Sequence, residues 1–191
     1  MQKTTVVWDY GQSWLPQVEP TFLPGRVTIG LNDDRLMIRA DLQDTDVMRD
    51  VFPFNFPAFT KCDAFEIFLG PTGEDAYYEF HVTPSNSVLQ LFFDGTGEIK
   101  TLEKRMVSTP LFTSQTTITS EGWSVLAIIP LLGLFPGTNP EWLLSLGRYD
   151  HTNGQPEPVI SSTSPHAVRN FHRKQEWRRI ILATLHAFPN G

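Results

Sequence analysis

Two glutamates, one histidine and one arginine stand at alternate positions of three apolar segments: Arg39 within Leu36–Leu42, Glu66 within Asp63–Leu69, and Glu79 with His81 within Tyr77–Thr83. Carboxylates only accept hydrogen bonds, a guanidinium only donates, and an imidazole does either. Gathered on one face, such groups suit sugar hydroxyls, each of which both donates and accepts, while aromatic rings cover the sugar's C–H faces. A pair of carboxylates is also the equipment of a glycosidase, and that is the enzymatic alternative for Glu66 and Glu79.

The segments that carry these groups alternate with period two, the signature of half-buried strands. Leu36, Ile38, Ala40 and Leu42 face one way and Arg39 and Asp41 the other. Phe65, Ile67 and Leu69 oppose Glu66, and Tyr78, Phe80 and Val82 oppose Glu79 and His81. The turn-forming stretch Gly70-Pro71-Thr72-Gly73-Glu74-Asp75 joins the last two segments as an antiparallel hairpin. Symmetry about Thr72-Gly73 puts Glu66 opposite Glu79, Phe65 opposite Phe80 and Ile67 opposite Tyr78. Facing acids repel by a few tenths to about 1 kcal/mol unless compensated. Arg39 has the parity to compensate them if its strand shares the sheet.

Further strands are expected at Val88–Phe93, Gln115–Thr119, Trp123–Ile129, Trp142–Tyr149 and Arg178–Thr184, with one short helical turn at Pro130–Leu134. Residues 1–25, with Pro16, Pro20 and Pro24, read as an irregular lead-in, and 1–191 reads as one domain. The fold expected is an all-β antiparallel sandwich of the jelly-roll kind. Arg148 and Tyr149 end a strand whose parity is open, because Leu143, Leu144 and Leu146 do not alternate cleanly.

A net charge of −6 argues against a nucleic-acid partner, which needs a basic surface. Nothing approaches the roughly 18 apolar residues of a membrane helix, and Met1–Thr5 contains no apolar signal-peptide core, so a soluble chain with no membrane role is expected. A single cysteine, Cys62, excludes an internal disulfide and reads as a small buried hydrophobe. Trp123, Trp142 and Trp177 read as core or packing residues, and Trp8 and Trp14 as caps. None of the five histidines has metal-ligand spacing, and only His81 falls near the polar face. No Met–His pair suits axial ligation of haem.

The chain resembles a family of known modules. Asp63-Ala64-Phe65-Glu66-Ile67-Phe68-Leu69-Gly70-Pro71 is similar to the D-[SA]-[VF]-E-I-F-[IL] strand of family 9 carbohydrate-binding modules. Leu36–Asp44, Tyr78–Val82, Gly122–Pro130 and the stretch from Ile160 to Ile180 resemble other strands of that family in the same order. The resemblance runs from about Thr28 to Leu182. It implies a sandwich that binds sugar chain ends without catalysis and often carries structural calcium. It also implies sugar contacts from Glu66 and Glu79.

Family members hold the sugar between two tryptophans, and here those positions are Thr60 and Ser162. Phe54, Phe56 or Phe59 would replace one wall and Tyr149 the other. The expected site is therefore Arg39, Phe59, Glu66, Glu79, His81, Arg148 and Tyr149, facing a glycan or small sugar. A protein partner is the alternative occupant of the same sheet. Asp41, Asp44, Asp46 and Asp50 could supply oxygen ligands to calcium, but without the fixed spacing of a calcium loop they read as turn residues.

Overall fold

The computed structural model describes residues 5–98, 100–137 and 139–188. Its strands are β1 (Val6–Asp9), β2 (Gly25–Asn32), β3 (Arg35–Gln43), β4 (Ala64–Pro71), β5 (Tyr77–Val82), β6 (Val88–Phe93), β7 (Thr113–Thr119), β8 (Gly122–Pro130), β9 (Glu141–Asp150), β10 (Val159–Ser162) and β11 (Arg178–Ile181). One helical turn, α1 (Leu102–Arg105), follows β6, and short 3₁₀ turns lie at Ala58–Thr60, Lys174–Glu176 and Leu182–Thr184.

The strands form two antiparallel sheets. One has the order β1-β2-β3-β8-β7; the other runs β10-β9-β4-β5-β6, with β11 also paired to β9. The alternation legible in the chain explains how they face each other. Val27, Ile29, Leu36, Ile38, Ala40, Leu42, Val125, Ala127 and Ile129 from the first sheet meet Phe65, Ile67, Leu69, Phe80, Val82, Leu144 and Leu146 from the second. Nearly all are fully excluded from solvent, which is the dominant stabilising term in a sandwich. Trp123 and Trp142 join this core, and Trp177 packs in a second cluster with Phe68, Tyr77, Ile160 and Phe171.

Several expectations need correction. The lead-in carries β1, which pairs Val6–Asp9 with Arg26–Ile29 of β2. Four residues are too few to show a period. Pro130 ends β8, and Leu131–Phe135 is a turn closed by a bridge between Leu132 and Phe135, not a helical turn. The hairpin of β4 and β5 is shifted by two residues: Glu66 pairs with His81, Ile67 with Phe80 and Leu69 with Tyr78. Lys174, from a distant segment, donates to the carbonyls of Pro71, Glu74 and Ala76 in this connection at 3.2, 2.6 and 2.9 Å. A two-residue shift keeps every side chain on its face; what changes is which group meets which.

Candidate functional site

On the outer face of the six-stranded sheet the register sets Glu66 beside His81 across the ladder, with Glu79 two residues back on β5. The imidazole therefore sits between the two acids. Its Nδ1 lies 3.1 Å from Glu66 Oε1 and its Nε2 2.5 Å from Glu79 Oε1. All three side chains are buried. Burial pushes the Glu66 carboxyl up to about 8, His81 pulling against it and Glu79 adding to it. Burial also opposes charge on His81, but Glu66 and Glu79 outweigh it and raise the ring above its ordinary value.

A cavity of about 260 Å³ stands over this cluster. Glu66, Phe68, Glu79 and Leu91 line it, along with rings from both ends of the sheet. Tyr149 stands on β9 and Phe93 on β6, three strands away across the sheet. Phe59 meets Tyr149 edge-on at 5.5 Å and tilts against His81 at 5.0 Å, so Phe59 and Tyr149 make one wall. Phe93, with His172 at 5.1 Å, lies on the other side, and Leu102 of α1 also lines the cavity. Arg169, Asn170 and Phe171 come from the segment that folds over the sheet.

The place of the family's second tryptophan is filled differently. Ser162 is buried opposite Gly147, and a β-carbon at Gly147 would stand 2.9 Å from the Phe171 ring and 3.0 Å from Glu66 Oε2. Glycine there lets Phe171 settle onto the sheet beside Glu66. Of the three phenylalanines expected to form the first wall, Phe59 does so. Phe54 is exposed, and Phe56 stacks on Phe52 at 4.7 Å.

The structure thus brings together Phe59, Glu66, Glu79, His81 and Tyr149. It separates two expected members. Arg39 belongs to the other sheet, because β3 pairs with β2 and β8, and there it makes an exposed ion pair with Asp41 at 3.0 Å. Arg148 has the parity of the core residues Leu144 and Leu146 and points between the sheets. It donates to the carbonyls of Leu23 at 3.1 Å and Gln43 at 2.6 Å. Arg169, Asn170, His172, Phe93 and Leu102 were missed as cavity residues; they sit on a loop, at a strand end or on the single turn of α1, where side-chain period carries no information.

Calcium, which the family resemblance implies, has a matching donor set elsewhere. Asp44, Asp63 and Asp150, all buried, bring carboxylate oxygens within 4.8 Å of one another. Only Asp44 of the four acids considered from the sequence takes part. Arg148 Nη2 lies 3.1 Å from Asp150 Oδ2 and 3.5 Å from Asp44 Oδ2, so one guanidinium faces two of the three acids. Asp44 Oδ2 is buried and accepts no hydrogen bond. Burial and the Asp44 charge push Asp63 up to about 8, and burial lifts Asp150 to about 7 against the pull of Arg148. Oxygen-only donors with uncompensated charge fit a hard cation of the calcium type. Glu66, Glu79 and His81 also bring ligand atoms within 4.8 Å of one another, though both nitrogens of the His81 ring already face carboxylates.

A third polar row is structural. Ser145 Oγ lies 3.4 Å from His166 Nε2, and His166 Nδ1 lies 3.1 Å from Glu176 Oε2. The order is that of a nucleophile relay, but Ser145 and His166 are wholly buried, and the row ties β9 to the closing segment.

No protein-family profile and no curated protein sequence matches the chain. Solved structures do. A candidate carbohydrate-binding protein from Bacteroides uniformis superposes with a TM-score of 0.71 at 13% identity, over 92% of this chain and 85% of that one. A family 9 carbohydrate-binding module from Caldicellulosiruptor kristjanssonii in complex with cellotriose gives 0.61 at 14% identity, over 98% and 85%. A family 9 module from the same organism in complex with glucose gives 0.60 at 14%, over 91% and 82%. Identities this low speak for architecture, and the architecture agrees from end to end: the chain has the β-sandwich fold of family 9 carbohydrate-binding modules.

Proposed function

We propose that this protein binds carbohydrate without catalysis, in the cavity on the outer face of the six-stranded sheet. The observation that carries this reading is Glu79 Oε2, which is buried, accepts no hydrogen bond and belongs to a side chain lining a cavity walled by aromatic rings. His172 Nδ1 stands 3.7 Å from that oxygen, beyond hydrogen-bond reach; a buried acceptor left without a hydrogen bond costs on the order of 1–3 kcal/mol, a cost that a donor arriving with a ligand would remove. A sugar hydroxyl is such a donor, and Phe59, Tyr149 and Phe93 offer the apolar surfaces its ring faces need.

In this reading Glu79 and Glu66 accept hydroxyl hydrogens, Asn170 and Arg169 donate, and His81 orients the two acids instead of touching the sugar. At about 260 Å³ the cavity is smaller than the ~300–1,000 Å³ of drug-sized ligand pockets and suits a single sugar residue. Glucose and cellotriose bound to the family 9 modules support the ligand class. Glycosidase chemistry is disfavoured because both acids bind the edges of one imidazole on the cavity floor, whereas hydrolysis needs them on either side of the scissile bond.

The test is a glycan array followed by calorimetry on wild type, Glu79→Gln and Phe59→Ala, with a melting curve for each. At least about tenfold weaker binding in both variants, at similar melting temperature, supports the site. A wild type that binds no glycan overturns it and moves the protein-partner reading forward.

A further inference from the structure

The acids at Asp44, Asp63 and Asp150 stand directly behind the Phe59–Tyr149 wall. Asp150 follows Tyr149 in the chain, and Asp63 lies four residues after Phe59. His151 joins the two regions. Its backbone N–H donates to Asp63 Oδ1 at 2.7 Å, and its Nε2 lies 2.9 Å from the carbonyl oxygen of Phe59. A carbonyl only accepts, so Nε2 carries the hydrogen. Two hydrogen bonds therefore lead from a carboxylate of the acid cluster to the backbone of the cavity wall. The second oxygen of Asp63 holds the amide of Met48 at 2.7 Å, at the start of the loop that leads to Phe59.

We propose that a divalent cation of the calcium type, held by Asp44, Asp63 and Asp150, and a sugar in the cavity strengthen each other's binding through the Asp63–His151–Phe59 bridge. The sugar half rests on the function proposed above; the cation half does not. The cluster has room in its charge balance for a cation: three buried carboxyls lie within 4.8 Å of one another, the one guanidinium there lies 3.1 Å from Asp150 and 3.5 Å from Asp44 Oδ2, and Asp44 Oδ2 accepts no hydrogen bond. A bound cation would fix the carboxylate of Asp63 and the end of β9, and with them His151, Phe59 and Tyr149. A sugar then meets a wall whose ordering has already been done. Linkage makes the effect reciprocal: the sugar must raise cation affinity by the factor the cation raises sugar affinity.

The experiment starts from chelator-stripped protein titrated with calcium chloride. Calorimetry reports cation binding, and aromatic-carbon NMR follows Phe59 and Tyr149 with no sugar present. Wild type is expected to bind calcium and to shift the Phe59 and Tyr149 signals. Asp44→Asn should bind calcium at least about tenfold more weakly. His151→Ala keeps its backbone bond to Asp63, so it should still bind calcium while the Phe59 signals cease to follow the titration. Affinity for a sugar identified on the array should be at least about fivefold higher in calcium than in chelator for wild type, and equal in the two conditions for His151→Ala. No calcium binding by wild type, or a Phe59 response unchanged in His151→Ala, overturns the proposal. Should no sugar bind, the reading of the cavity falls while the Phe59 response still decides the bridge.

Discussion

The outer faces of the two sheets carry similar residue types and put them to different physical use. On the five-stranded sheet, Arg39 meets Asp41 at 3.0 Å and Arg26 meets Asp9 at 2.8 Å, all of them more than half exposed. On the six-stranded sheet, Glu66, His81 and Glu79 are almost wholly withdrawn from water. Solvent screens the first set, so those pairs contribute little and hold no fixed geometry. Exclusion of solvent strengthens every interaction in the second set and makes an unpaired atom costly. The difference comes from covering segments: the Phe59 turn, α1 and the stretch through Phe171 close over one face and leave the other open.

That contrast can be broken most forcefully at His81. Replacing it with Ala leaves Glu66 and Glu79 buried without their shared partner and is expected to destabilise the fold by about 3–5 kcal/mol, read from urea unfolding; a loss below 1 kcal/mol would mean that water reaches the cluster. Phe59→Ala should weaken sugar binding by about 1–3 kcal/mol, by analogy with stacking on bases, measured by calorimetry.

Titration sharpens the comparison further. Glu66 and His81 are both held above their ordinary values. A raised group contributes stability that is full below its unfolded value and is lost as pH rises through its folded one. The melting temperature should therefore fall as pH climbs towards about 8, the value to which Glu66 is pushed. Glu66→Gln, which cannot ionise, should flatten that fall; an identical pH profile in the variant would contradict the raised Glu66 carboxyl. The smallest effect belongs to the open face, where Arg39→Ala should change stability by less than about 1 kcal/mol and bring no loss of sugar binding. Loss of binding in this variant would move the site to the other sheet.

Alternation along single segments determined much of this protein. Leu36 to Leu42, Phe65 to Leu69 and Tyr78 to Val82 each announce a buried face, and parity alone put Glu66, Glu79 and His81 on the opposite side. The side-chain period of a strand is a local property, so a sequence displays it. Sheet membership is not local: Arg39 shares the parity of a site residue but went to the other sheet when β3 paired with β2 and β8. Nor is register, which places His81 between two acids expected to face each other, in a hairpin whose connection Lys174 contacts from about a hundred residues away. Arg148 lay in a run with no clean alternation, and packing turned it inward to the carbonyls of Leu23 and Gln43. The chain alone determined which residues are apolar, which are charged and at what spacing. Only the closing of distant segments over one sheet decided which charges lost their water, because burial depends on what comes to lie above a strand and not on the strand itself.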